Sequence, residues 1–357
     1  MDKTILHVCG YAAPYPGNFI ASLVALAKSN KELGYETVFA FPITAMEKEW
    51  CRELEEEYKI YYLPLKKARM KLKTYLEIKK IYSRHNIVVA HSHFELYDMP
   101  VNLMAEKRTK VFWHLHDALD LIYAKSSFIY KMLWEIQYRL ASKNVTLLSV
   151  SEKGKKIAIK LGFDEKKAYF LPNAIETKRI DNVDEKSNMK YDFLMYGWDF
   201  RRKGVDILID AINDKVSTKN YSCALVADEK VWERIGNVNH LIHQPSVKNV
   251  SSLYSSSRCF LHISRQEGLS YALLEAIYSG CIVICSDIEQ NLFAKEFSTV
   301  IFVEVGNSTD LAMKMDKLLS GEISITNEMI NQSKNIILKK YSIENWVQKI
   351  QEFYFGQ

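Results

Sequence analysis

The stretch Arg258–Asp287, RCFLHISRQEGLSYALLEAIYSGCIVICSD, constrains the fold more than any other part of the chain. It opens on an apolar run of strand length, CFLHIS, followed by the polar turn Arg265–Gly268. An amphipathic run from Leu269 to Tyr278 comes next, stops at Ser279-Gly280, and gives way to the apolar run Cys281–Cys285. Strand, turn, helix, stop and strand make one βαβ unit, because parallel strands can be joined only by such a crossover. Glu267 falls in the turn and Glu275 late in the helix, among Leu274, Ala276 and Ile277. A carboxylate in that company is costly to bury without a partner or a ligand. The helix N-terminus beside Glu267 presents free backbone N–H groups and a partial positive charge, which suits an anion. An acid able to bind hydroxyls beside a site able to bind phosphate fits a sugar nucleotide.

Runs of the same strand-like kind recur through the chain. In the first half they are Ile5–Cys9, Thr37–Phe41, Ile87–Ala90, Val111–Leu115, Thr146–Val150 and Tyr169–Leu171. In the second half they are Phe193–Tyr196, Cys223–Ala227, His240–His243, Phe260–Ile263, Ile282–Cys285 and Val300–Val303. Helical stretches separate them, which predicts an α/β chain with parallel sheets. The charge-mixed segment Glu176–Lys190 divides the two sets and reads as a linker. The expected organisation is therefore two Rossmann-like domains facing across a cleft: residues 1–175, joined by the C-terminal helix at 343–357, and residues 190–340. In such folds ligands bind at the carboxyl ends of strands.

The six cysteines lie in or beside apolar runs without metal-ligand spacing, so they read as reduced, buried thiols of a cytoplasmic protein. No signal peptide is visible, and no stretch is long and apolar enough to span a bilayer. The net charge of +5 is unevenly spread. Residues 1–175 hold 27 Lys and Arg against 19 Asp and Glu, and Lys66–Arg84 holds eight basic residues against Glu77 alone. Such a run is either a solvated helix face or a patch for an anionic membrane surface or a phosphate-bearing acceptor. No aromatic-interleaved basic motif points to nucleic acid, and no GxGxxG follows the first strand, which argues against a dinucleotide dehydrogenase.

The run Glu267-Gly268-Leu269-Ser270-Tyr271-Ala272-Leu273-Leu274-Glu275-Ala276, with Gly280 after it, resembles the E-x7-E signature of family 4-type retaining glycosyltransferases of the GT-B fold. Ser270 stands where that signature has a second glycine and Ala272 where it has proline. The segment Gly197–Gly204 resembles the family's G-R-x-x-x-x-K-G loop, with Lys203 as its lysine and Trp198 in the usual arginine position. Pro172-Asn173-Ala174 resembles the family's turn before the second domain.

The resemblance implies roles. Glu275 binds the ribose hydroxyls of a nucleotide sugar and Glu267 the donor-sugar hydroxyls. Gly268, Leu269 and Ser270 line the helix N-terminus. Lys203, with Arg201 or Arg202 replacing the missing arginine, stabilises the leaving diphosphate. Gln244 ends the strand beside the nucleobase, and Gly17 opens the helix nearest the donor phosphates. His116 reaches the transferred sugar near its phosphate. His91 and His93 share one strand face, as do His114 and His116, at two successive strand ends. A zinc site there lacks a carboxylate or cysteine spaced to complete it. Asp117 can cap the next helix.

No Asp-x-Asp occurs in the chain, so neither a metal nor any other cofactor is expected, and the nucleotide sugar is a substrate. Core packing explains much of the aromatic segment Ser126–Lys143, though an acceptor-binding or interfacial face fits it too. The expected protein is a hexosyltransferase-type enzyme moving a sugar from a UDP-linked donor to a glycan or lipid-linked acceptor in capsule or other surface polysaccharide synthesis. It would be cytoplasmic, with Lys66–Arg84 as a contact to an anionic membrane and no nucleic acid bound. A non-catalytic GT-B subunit and a sugar-nucleotide epimerase are the alternatives.

Overall fold

The computed structural model describes residues 2–116, 119, 123–124, 126–181, 189–214, 216–217, 220–245, 247 and 250–356. The chain divides into two compact units, residues 1–174 with 343–357, and residues 175–342. Asp117 lies outside the described residues, as do residues 182–188 of the segment read as a linker. The part of that segment before them, Thr177–Asp181, is a short helix of the second unit.

Seven strands build the first sheet: β1 Lys3–Cys9, β2 Glu36–Pro42, β3 Lys59–Leu63, β4 Asn86–His93, β5 Lys110–Leu115, β6 Val145–Ser149 and β7 Ala168–Phe170. Their order is β3-β2-β1-β4-β5-β6-β7, and every pairing is parallel. Strand β3, KIYYL, escapes the sequence reading; it is an edge strand with only Ile60 and Leu63 buried.

Six strands build the second sheet: β8 Tyr191–Tyr196, β9 Cys223–Val226, β10 Leu241–Gln244, β11 Ser257–His262, β12 Ile282–Ser286 and β13 Val300–Val303. Their order is β10-β9-β8-β11-β12-β13, again parallel throughout. Strands covered by helices on both faces must be apolar on both faces, which is why the inner strands β9 (CALV) and β12 (IVICS) are buried throughout. Each unit has its own core, centred on Leu6, Trp113 and Leu147 in the first and on Phe193, Leu225 and Leu261 in the second.

Sheet order fixes where loops can meet. The order reverses between β1 and β4 in the first unit and between β8 and β11 in the second, and the crevice at such a switch point is where doubly wound sheets bind ligands. The loops leaving β8 and β11 are Gly197–Gly204 and Ile263–Ser270, the two segments that carry the sequence motifs. In the first unit the C-terminal helix Ile343–Phe355 packs on the helix Gly17–Glu32. Gln351 donates to Ser29 and Asn30 at 3.0 Å each, and Phe355 stacks on Tyr35 at 4.6 Å.

Candidate active site

In the second unit the two motif loops are stitched together by their backbones. The Arg265 N–H donates to the Arg202 carbonyl at 2.8 Å. The approach is so close that a Cβ on Gly204 would sit 2.4 Å from the Ile263 carbonyl oxygen, and Gly204 also holds a φ of +81°, so only glycine fits. This contact brings Lys203 onto Glu267. The ammonium donates to the carboxylate at 2.5 Å, with both side chains buried. Burial works against the charged carboxylate. The Lys203 charge, the neighbouring His262 and hydrogen bonds from Lys203 and Ser264 outweigh that effect and hold Glu267 down to about 2. Burial in turn holds His262 at about 4, so it is neutral at neutral pH.

The two arginines of the first loop part company. Arg201 is largely exposed and donates to Asp206 at 2.6 Å. Arg265 also grips Asp206, through two bonds of 2.7 and 2.9 Å, so that carboxylate serves as a clamp between the loops. Arg202 instead lies over the Trp198 ring at 4.1 Å, and the Lys203 ammonium lies over the same ring at 5.2 Å. Trp198, in the position where the family signature has arginine, therefore supplies a cation-holding face that positions Arg202. Of the two arginines, Arg202 is the one associated with Lys203. Arg265 and Asp206 carried no motif signal, because a clamp between loops distant in sequence shows only once the sheet order is known.

Ser270 explains its own departure from glycine. It is the N-cap of the helix Tyr271–Tyr278, and its hydroxyl accepts from the Leu273 N–H at 3.4 Å. Leu269 is buried and Gly268 half-buried on the same turn. Glu275 is buried on that helix, where Arg179 donates to one carboxylate oxygen and the Tyr254 hydroxyl to the other at 3.1 Å. Asp181 accepts from Tyr278 at 2.9 Å, so the Thr177–Asp181 helix is tied to the Glu275 helix at two points. Arg179 was invisible in sequence because it lies in a charge-mixed stretch. Gln244 accepts from the Tyr191 hydroxyl at 3.2 Å at the end of β10.

His116 and Gly17 belong to the first unit. Gly17 begins its helix with a φ of +55°, the left-handed conformation that favours glycine. Five imidazoles, four of them buried and His116 half-buried, gather on one face of β1, β4 and β5 and just beyond: His7, His91, His93, His114 and His116. His7 meets His93 at 3.0 Å and His93 meets His116 at 3.1 Å; His116 also bonds the side chain of Asn173. His91 meets the Tyr354 hydroxyl at 2.5 Å. Burial pushes His7 and His116 down to about 3, and the other three well below their usual value, so all five are neutral at neutral pH. The donor nitrogens of His7, His91 and His93 lie within 4.8 Å of one another, as do those of His93, His114 and His116, so these two triads are the groups among the described residues that could hold a metal ion. Sequence reasoning passed over His7, whose signal was its cross-strand register with His91.

Two Rossmann-like sheets of this order in one chain define the GT-B class. Residues 176–336 match the family model for glycosyl transferases group 1, and residues 21–179 match the model for glycosyltransferase family 4. The lipopolysaccharide glucosyltransferase WaaG of Escherichia coli K12 is 32% identical over 135 residues, a match spanning 35% of this chain and 35% of that protein. Among solved structures, a glycosyltransferase from Rickettsia africae superposes with a TM-score of 0.79 at 15% identity over 99% of this chain and 98% of its own. Anabaena Alr3699/HepE in complex with UDP-glucose does so with a TM-score of 0.79 at 13% identity over the whole of both chains. The chain belongs to the family 4-type glycosyltransferases of GT-B fold.

Proposed function

We propose that this glycosyltransferase is retaining and metal-independent, and moves a sugar from a UDP-linked donor to a glycan or lipid-linked acceptor in surface polysaccharide synthesis. The observation that carries the reading is the buried Lys203–Glu267 pair, with Arg202 held over Trp198 and Glu275 buried on the helix that follows Glu267. Breaking the anomeric C–O bond leaves a diphosphate whose growing negative charge needs a fixed counter-charge. Lys203 and Arg202 supply it in place of a divalent ion, aided by the helix N-terminus after Glu267. Glu267, already ionised, accepts from the donor-sugar hydroxyls, and Glu275 accepts from the ribose. His116, neutral at working pH, donates a hydrogen bond to the transferred sugar. A UDP donor is supported by Alr3699/HepE, whose structures hold UDP and UDP-glucose. The enzyme acts at the cytoplasmic face of the membrane, where Lys66–Arg84 contacts anionic lipid.

Purified protein incubated with a panel of nucleotide sugars in excess EDTA tests the reading. It requires slow UDP release from one UDP-sugar, and with acceptor a product of the donor's own anomeric configuration. Turnover abolished by EDTA and restored by Mn²⁺, or an inverted product, would contradict it.

A further inference from the structure

One helix of the first unit turns its apolar side chains outward. In Phe128–Ala141 the residues facing the core are Trp134, Gln137, Tyr138 and Ala141. Phe128 is 82% exposed, and Ile129, Tyr130, Met132, Leu133, Ile136 and Leu140 are all exposed as well. A helix that merely covers a core carries the reverse pattern, polar side outward. The core-packing account of this segment thus holds for Trp134 and Tyr138 but not for Phe128 and Tyr130.

The outward face continues onto a second segment. The Tyr130 hydroxyl donates to Met70 Sδ at 3.6 Å, and the Arg69 guanidinium lies over the Trp134 ring at 4.2 Å. There Leu65, Met70 and Leu72 are exposed in alternation with exposed Lys66, Lys67, Lys71 and Lys73, and no acidic residue occurs from 65 to 76. The rest of the basic run behaves differently: Ile78, Ile81 and Tyr82 pack into the core, so the apolar stripe of Leu72–Arg84 is mostly interior.

We propose that the Phe128–Ala141 face and the Leu65–Lys73 segment form one surface that inserts into the interface of an anionic bilayer. Its apolar side chains would enter the headgroup–acyl boundary and its four lysines would meet lipid phosphates. A contiguous apolar surface of this kind marks an interaction site, and the lysine fringe selects the partner. A second copy docked by a two-fold axis would set like charges near like charges, whereas an anionic leaflet complements them. The inference deepens the reading of a lipid-side acceptor, while its argument stands on the surface chemistry alone.

Vesicle co-sedimentation of the full chain tests it, using phosphatidylglycerol-containing and pure phosphatidylcholine vesicles, with UDP-sugar hydrolysis measured in parallel. Wild type partitions onto the anionic vesicles and less so in high salt. The triple variant Phe128→Ser, Ile129→Ser, Leu133→Ser loses on the order of 10²-fold in partitioning and keeps its hydrolysis rate. Changing Lys66, Lys67, Lys71 and Lys73 to Gln gives a loss of about the same order and abolishes the salt dependence. Undiminished vesicle binding by the triple variant, equal binding to neutral vesicles, or a wild-type dimer that the triple variant dissolves would each overturn the proposal. Docking without any nucleotide-sugar turnover would refute the functional reading and leave the surface standing.

Discussion

Both sheets run in the same order and both gather polar side chains where strands end at the switch point, yet the two units bury opposite kinds of chemistry. The second unit buries charge: Lys203 against Glu267, and Glu275 against the half-buried Arg179. The first gathers five neutral imidazoles, of which His7, His93 and His116 bond in a chain, His91 bonds Tyr354 and His116 bonds Asn173. Topology supplies the location in each case, and residue type decides what can be held there. Buried ions compensate their desolvation poorly on stability grounds alone. On the proposed function a charged ligand competes for the Lys203–Glu267 pair, whereas neutral imidazoles suit hydroxyls.

The largest expected difference between the two units comes from removing charge. Lys203→Ala should lower kcat/KM by on the order of 10²-fold or more, the scale of one preorganised electrostatic donor. Steady-state UDP release measures it, and an unimpaired variant would place the diphosphate elsewhere.

Next come the arginines, which sequence left equivalent and the structure separates. Arg202→Ala should cost roughly tenfold in kcat/KM, as expected for a hydrogen bond to a charged group. Arg201→Ala, which loses an exposed pair with Asp206, should cost less than about threefold. The reverse ranking would mean that Arg202 does not act from the face of Trp198.

A smaller effect should follow at Glu275. Arg179→Gln should raise the donor KM roughly fivefold with kcat little changed, and Arg179→Lys should recover part of the loss. A fall in kcat alone would separate Arg179 from ribose binding.

The first unit answers to pH instead. His7 and His116 titrate near 3 when folded and near 6.5 when unfolded, so below 6.5 the unfolded chain takes up protons that the folded chain refuses. Their stability is fully present above 6.5 and is lost progressively as pH falls towards 3. Glu267, depressed from 4.5 to about 2, adds a loss that starts only below 4.5. Thermal unfolding across this range should show Tm declining from near pH 6.5. A Tm flat down to pH 4.5 would argue against neutral buried histidines.

How much of this could be read in advance depended on distance along the chain. The E-x7-E run and the Lys203 loop were legible because each is a local pattern with its own glycines. Twelve of the thirteen strands among the described residues were legible as short apolar runs between turn and helix signals; β3, KIYYL, was passed over. Arg179, Arg265 and His7 were not, because each acts on a residue that only sheet order brings near. The outward apolar face of Phe128–Ala141 was hidden for another reason. Aromatic and aliphatic residues at helical spacing read as core whichever way the helix turns, and only exposure distinguishes the two.

Calorimetric titration of UDP into the protein, in EDTA, tests the charged site most directly. Wild type should bind UDP without any divalent ion, and Lys203→Ala should weaken that binding by on the order of 10²-fold when measured well below its Tm, which falls because Glu267 loses its buried partner. Equal affinity in the two proteins, or UDP binding only when Mg²⁺ or Mn²⁺ is added, would contradict the account.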